Sequence, residues 1–262
     1  MARLAVLEPD ARLAARLSTA LADHHELIEC ADIAQFWDIV MTRPVDESVI
    51  DIYDPAHPVS LSDLQRFRRR VPPLAIVVYA DFRNRELDLF ELGRLKIDGV
   101  ILTGATDQPQ QTRRVVAEAL CATYALGVTD ALGGELHTLG VDCLRWAIER
   151  AQDFPSVEHL AEASGLTSAG LARELLKRQM PSAARLIFWG RLFRAASLLS
   201  DASRRAEEVA FRLNYSSASA LTRALRRETG FSFRELRRRG TTACVLAGFM
   251  SREVPRRARE RQ

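Results

Sequence analysis

The sequence predicts a chain of two regions: an α/β domain on a parallel five-stranded sheet, then an all-α domain. Three observations predict it. Over residues 1–128, short apolar runs alternate with amphipathic segments, as in strands covered on both faces by helices. From Val141 onward the periodicity is helical. Within this helical region a single pattern occurs twice, at Val157–Arg178 and Ala206–Arg227.

In the α/β region, the apolar runs Leu4–Leu7, Ser48–Ile52, Ala75–Tyr79 and Gly99–Leu102 read as strands, with a weaker one near Leu27–Glu29. Helical spacing marks Ala11–Leu21, Ile33–Met41, Leu61–Arg70, Arg83–Leu95 and Gln111–Ala125. Gly127, Gly133, Gly134 and Gly140 then fall close together, and residues 129–140 read as a hinge. Val141–Ala151 is amphipathic, Phe154-Pro155-Ser156 breaks and restarts the chain, and Ser182–Leu199 is a long connecting helix. The helical domain is expected over 141–240 and a basic tail over 241–262, where Ala243–Met250 forms an apolar patch suited to a docking helix.

Charge divides along the chain. Residues 1–130 hold 14 basic and 20 acidic side chains, and residues 131–262 hold 23 and 14. A net −6 followed by a net +9 points to a polyanion met by the helical region. Nearly all the basic charge is arginine, Lys96 and Lys177 being the exceptions; base composition of the genome explains this as well as function does. Cys30, Cys121, Cys143 and Cys244 lie far apart, with no metal-ligand spacing, and read as reduced core residues of a cytoplasmic protein. The opening apolar run is too short for a signal peptide or membrane span. His24, His25, His57, His137 and His159 are scattered, with no Ser or Cys motif beside them, so no enzyme is expected. His24-His25 reads as a surface turn rather than a metal pair.

In each copy of the repeat, an apolar residue and an alanine (Leu160-Ala161; Val209-Ala210) end a short helix. A turn follows (Gly165-Leu166; Asn214-Tyr215), then a hydroxyl residue suited to cap the next helix (Thr167; Ser216), then Leu-x-Arg (Leu171–Arg173; Leu221–Arg223). Such a unit places its second helix in the major groove of DNA, about 12 Å wide. The spacing from turn to leucine is six residues in the first copy and seven in the second. With the run Arg191–Leu199 and the closing segment Glu228–Arg237, this resembles the DNA-binding domain of AraC/XylS-type transcription regulators; Phe233 stands where that family has proline.

The resemblance implies reading helices at Thr167–Lys177 and Ser216–Arg227. It implies base contact at Ala169, Ala172, Arg173, Ala218, Ser219, Ala220 and Arg223. Phosphate contact is expected at Thr167, Lys177, Arg178, Ser216, Arg226 and Arg227, and next at Arg237–Arg239. Only Arg173 and Arg223 can fork onto guanine, each worth roughly 1–3 kcal/mol of discrimination, so intrinsic specificity is expected to be modest. The competing reading of each arginine is a solvated face or an internal ion pair, as between Arg173 and Glu174. Phe188 and Trp189 read as core.

In the α/β region, LAVLEPD (Leu4–Asp10), VIDIYDP (Val49–Pro55), PLAIVVYAD (Pro73–Asp81) and KIDGVILTG (Lys96–Gly104) resemble a response-regulator receiver domain, a flavodoxin-like fold. The resemblance places Asp51 at the phosphoacceptor and Glu8 at one metal-binding acid. Pro9 falls where a second acid belongs, with Asp10 displaced by one. Tyr79 replaces the small hydroxyl residue and Thr103 the lysine, for which Lys96 lies too early. A pseudo-receiver is therefore expected, without cofactor; Mg²⁺ at Glu8, Asp10 and Asp51 would enter only if the receiver were active.

The expected function is a DNA-binding transcription regulator of promoter DNA, homodimeric through its first domain, with RNA polymerase as a further partner and no membrane. Two alternatives are a response regulator phosphorylated on Asp51 and a protein-interaction module with degenerate DNA binding. A ligand-sensing regulator has no Gly-rich phosphate loop in its favour.

Overall fold

A computed structural model describes residues 2–55, 58–71, 74–201 and 204–254. It divides into two compact units, Met1–Thr123 and Tyr124–Gln262.

The first unit alternates strand and helix: β1 (Ala2–Leu7), α1 (Ala11–Leu21), β2 (His25–Glu29), α2 (Ile33–Thr42), β3 (Glu47–Ile50), α3 (Leu61–Arg70), β4 (Ala75–Ala80), α4 (Glu86–Arg94), β5 (Gly99–Leu102) and α5 (Pro109–Ala131). The sheet is wholly parallel, in the order β2-β1-β3-β4-β5. That is the flavodoxin-like doubly wound order. Side chains alternate between two cores, as the two-residue period of a strand requires. Leu7, Ile50, Ile76 and Val78 join Phe36, Leu64 and Phe67 on one face. Leu4, Val6, Val49, Val77 and Tyr79 join Leu17, Leu21 and Val116 on the other.

Two expected boundaries moved for local reasons. β3 ends at Ile50 rather than Ile52 because the Asp51 carboxylate accepts the Tyr53 amide at 2.9 Å and turns the chain. α4 starts at Glu86 rather than Arg83: the Arg83 amide and guanidinium both bind back to Asp81, and Asn84 has φ 61°.

The second unit is helical: α6 (Thr138–Glu149), α7 (Val157–Ala163), α8 (Ser168–Lys177), α9 (Ala183–Ser200), α10 (Ala206–Arg212), α11 (Ala218–Thr229), α12 (Phe233–Arg239) and α13 (Thr241–Glu253). α9 is buried around its circumference, with Leu186, Trp189, Leu192, Phe193, Ala195 and Ala196 fully enclosed. Leu171, Leu175, Val209, Leu221 and Leu225 of the repeated units belong to the same core. Gly190 brings α9 against α6: a Cβ there would lie 2.6 Å from the Ala147 carbonyl carbon.

Two expectations are corrected. Residues 129–140 do not mark the division of the chain: α5 runs on to Ala131, and Leu132 and Leu136 are buried in the helical core. The division falls earlier, inside α5, where Tyr124 donates its hydroxyl to the Phe193 carbonyl at 3.0 Å. Nor does a tail begin at Gly240. Thr241–Glu253 is a packed helix whose Phe249 meets Trp189 edge-on at 5.3 Å. The patch Ala243–Met250 is thus largely core; the arginine-rich end at 255–262 lies outside the described residues.

The α6–α9 approach sets a stability prediction. Gly190→Ala forces backbone apart in a close-packed core and should cost about 1–3 kcal/mol. Denaturant unfolding followed by tryptophan fluorescence should show a lower midpoint at unchanged slope; an unchanged midpoint would mean that the helices yield freely.

Candidate nucleic-acid interface and acidic crest

Both repeated units close the same turn. In the first, Leu160 and Ala161 bury α7, which runs two residues further than expected, to Ala163. Gly165 takes φ 68°, the Leu166 amide donates to the Ala161 carbonyl at 2.9 Å, and Thr167 caps α8 by accepting the Gly170 amide at 3.1 Å. In the second, α10 runs to Arg212, Asn214 takes φ 53°, and the Tyr215 amide donates to the Ala210 carbonyl at 2.9 Å. Gly and Asn are the residues that tolerate this left-handed conformation.

The cap of α11 is Ser217, not Ser216: the Ser217 hydroxyl accepts the Ala220 amide at 3.1 Å. The extra residue of the second copy therefore sits between turn and cap, where both hydroxyls are chemically competent and the sequence offered no choice. Counted from the caps, the copies coincide. Leu171 and Leu221 stand four residues on, both fully buried, and Arg173 and Arg223 six residues on, both exposed.

Ala169, Ala172 and Arg173 lie exposed on α8; Ser219 and Arg223 lie exposed on α11, with Ala218 and Ala220 half-buried beside them. Glu174 pairs with Arg178 rather than Arg173. Lys177, Arg226 and Ser216 are exposed, and Thr167 is exposed while serving as cap. Arg178 is half-buried, with Nε donating to His137 Nε2 at 3.2 Å. Arg227 donates to the Glu228 carboxylate at 2.8 Å and stands over the Phe188 ring. Arg238 and Arg239 of α12 are exposed, while Arg237 donates to the Arg204 carbonyl at 2.5 Å. Phe233 occupies the first turn of α12, where proline is also favoured, and Ser232 with Glu235 forms its capping box.

Sequence reasoning missed the support behind α11. Buried Glu228 receives Arg185 at 2.6 Å as well as Arg227; burial pushes its carboxyl up, and these hydrogen bonds outweigh it and hold the group below its ordinary value. Glu253 accepts Arg185 Nε at 2.6 Å and Trp189 Nε1 at 2.8 Å. Arg252 donates to the Glu228 and Arg227 carbonyls at 3.0 and 2.7 Å, satisfying the end of α11. No local pattern links residues this distant in sequence.

In the first unit, Glu8 and Asp51 follow the adjacent strands β1 and β3, the point where strand order reverses and such sheets bind ligands. Burial raises the Glu8 carboxyl to about 7, opposed by its hydrogen bond from the Asp10 amide and reinforced by the charge of Asp51. Burial likewise raises Asp51; the charge of Arg85, which lies over the Tyr53 ring at 3.9 Å, acts against that rise. Asp10 is spent capping α1, accepting the Arg12 amide at 2.8 Å. Among the described residues no group of three His, Cys, Asp or Glu side chains is placed to hold a metal ion.

Tyr79 is buried in the core facing α1 and α5. Its hydroxyl donates to Asp107 at 3.3 Å, and Asp107 also accepts Arg16 at 2.6 Å. The hydroxyl of Thr103 is buried without a hydrogen-bond partner among the described residues. Lys96 takes φ 55° in the turn before β5, at the opposite end of that strand from Thr103. Of the expected surface turn His24-His25, only His24 is exposed; His25 begins β2, with Nε2 3.6 Å from the buried Glu47 carboxylate.

The raised carboxyl at Glu8 sets a pH dependence. A folded value above the unfolded one means that the native state holds the proton more tightly, so its stabilising effect is present below pH 4.5 and lost as pH rises through about 7. Glu8→Gln should remove that loss and stabilise the unit at pH 8 by roughly 1–3 kcal/mol relative to wild type. Melting curves from pH 4.5 to 8 test this; parallel curves for the two proteins would refute it.

No protein-family model matches the chain, and no curated protein matches it. Solved structures do. A CheY-like response regulator receiver domain protein from Methanospirillum hungatei JF-1 is 13% identical over 47% of this chain and 96% of its own, with TM-score 0.41. RcsB from Salmonella enterica serovar Typhimurium, bound to promoter rprA with the phosphomimetic BeF3−, is 14% identical over 71% of this chain and 97% of its own, with TM-score 0.39. A sensor protein from Polaromonas sp. JS666 is 20% identical over 45% and 98%, with TM-score 0.38. At such identities and scores these likenesses carry no functional argument.

Proposed function

We propose that this chain is a non-catalytic, DNA-binding transcription regulator. Its second unit enters the major groove of promoter DNA with α8 and α11. The observation that carries this is the equivalence of the two helix-turn-helix units. Each has a left-handed residue in its turn, a hydroxyl cap, a buried leucine four residues past the cap and an exposed arginine six past it. Packing explains the leucines. It does not explain two exposed arginines at one register, on the helices that such units present to base edges. The positive net charge of residues 131–262 agrees. No helix among the described residues is long and apolar enough to cross a membrane.

The double variant Arg173→Ala/Arg223→Ala should lower affinity for the chain's own upstream DNA by roughly 30-fold or more, with little effect on random duplex. Equilibrium binding at two salt concentrations measures both. Equal loss on the two duplexes would mean that these arginines touch phosphate rather than bases.

The first unit is proposed to serve dimerisation or signal input as a pseudo-receiver, without phosphate on Asp51. Three features support this: Pro9 in place of an acid, Tyr79 held in the core by Asp107, and Thr103 where a lysine would meet the phosphoryl group. Leu87 and Phe90 of α4 are 83% and 69% exposed, which favours association through this unit. RNA polymerase is proposed as a further partner. Acetyl phosphate with Mg²⁺, followed by mass spectrometry of the Asp51 peptide, should yield no adduct. Stoichiometric modification would establish an active receiver instead.

A further inference from the structure

With the caps aligned, α8 and α11 can be compared position by position. Two residues past the cap stand Ala169 and Ser219; five past, Ala172 and Thr222; six past, Arg173 and Arg223; nine past, Leu176 and Arg226. Where α11 offers a serine, a threonine and an arginine, α8 offers two alanines and a leucine. Ala169, Ala172 and Leu176 fall at i, i+3 and i+7, one stripe of the helix. All three are exposed, Leu176 at 78%, and the exposed cations Arg173 and Lys177 stand beside them.

An exposed leucine on a helix with a fully buried opposite face is not there for the core: Leu171 and Leu175 already fill it. An apolar stripe flanked by cations suits a partner that is anionic outside and carries apolar groups within reach. The major groove provides both, since the thymine C5-methyl is the apolar group on its floor.

Resting on the DNA-binding function proposed above, we infer that α8 reads thymine methyl groups through Ala169, Ala172 and Leu176, while α11 reads guanine through Arg223. The two half-sites therefore differ in chemistry: the one under α8 is selected for methyl groups beside the base met by Arg173, the one under α11 for a guanine edge without them. The site is asymmetric and fixes the orientation in which one chain lies on the duplex.

The test uses the full chain. Duplexes are selected from a randomised pool, and Arg223→Ala identifies the half-site read by α11 as the one whose preference it releases. Thymine is then replaced by deoxyuridine, which lacks only the methyl group, in one half-site at a time. Replacement in the α8 half-site should weaken binding by about fourfold per contacted methyl, the factor expected for one buried methylene-sized group. Replacement in the α11 half-site should change little. Leu176→Ala, at a solvent-exposed position, should bind both duplexes more weakly and discriminate less between them. If deoxyuridine has no effect in either half-site while Arg223→Ala still releases a preference, the DNA-binding function stands and thymine reading is overturned; Leu176 then faces a protein partner. If no sequence is selected, and Arg173→Ala/Arg223→Ala binds as wild type does, the DNA-binding function falls and this inference with it.

Discussion

The second unit depends on one constraint: α9 is buried around its whole circumference over Leu192–Ala196, and both helix-turn-helix units share its core. Its 18 residues span about 27 Å, comparable with the roughly 34 Å between successive turns of a DNA groove. Leu171 and Leu175 from one unit, and Leu221 and Leu225 from the other, pack into the core built around Trp189, Leu192 and Phe193. Two helices set in one rigid core have a fixed separation. On the proposed function, this is what would let a single chain address two grooves, a task for which proteins with one such unit must dimerise. The close approach at Gly190 contributes to this, because any side chain there would push α9 off α6.

α13 extends the same logic to polar contacts. Its Arg252 satisfies carbonyls at the end of α11, and its Glu253 gathers Arg185 and the Trp189 indole. Arg185 in turn neutralises Glu228, a carboxylate buried on α11 that would otherwise be costly to enclose. The helix that carries Arg223 is thus fixed at both ends, by the Ser217 cap at one and by Arg252 at the other. α8 has a simpler support: its own Thr167 cap and the Glu174–Arg178 pair.

The first unit keeps the flavodoxin-like frame of its sheet. The strand order, the two cores and the carboxylates after β1 and β3 are all present. Two groups near these carboxylates have structural tasks. Asp10 caps α1, and Tyr79 packs in the core with its hydroxyl on Asp107. Burial then leaves Glu8 and Asp51 shifted toward their neutral forms.

What the sequence determined by itself was periodic or local. Four of the five strands stood out as continuous apolar runs because both faces of a parallel sheet are covered. α1 and α3 matched their expected spans, and the repeated pattern placed both turns and the two arginines that stand exposed six residues past the caps, since a turn's dihedral demands and a helix's spacing are written within ten residues. β2 was weak because its burial is partial on both faces. What only the tertiary structure decided was any choice between local equals or between distant partners. Ser216 and Ser217 are equally fit to cap, and packing of Leu221 selected the second. Residues 129–140 looked like a hinge by their glycines, but Leu132 and Leu136 had a core to fill. Thr241–Glu253 looked like the start of a tail until Phe249 met Trp189, a residue 60 positions earlier. Which side chains remain exposed is likewise settled last: of the three leucines Leu171, Leu175 and Leu176 of α8, packing encloses the first two and leaves the third outside.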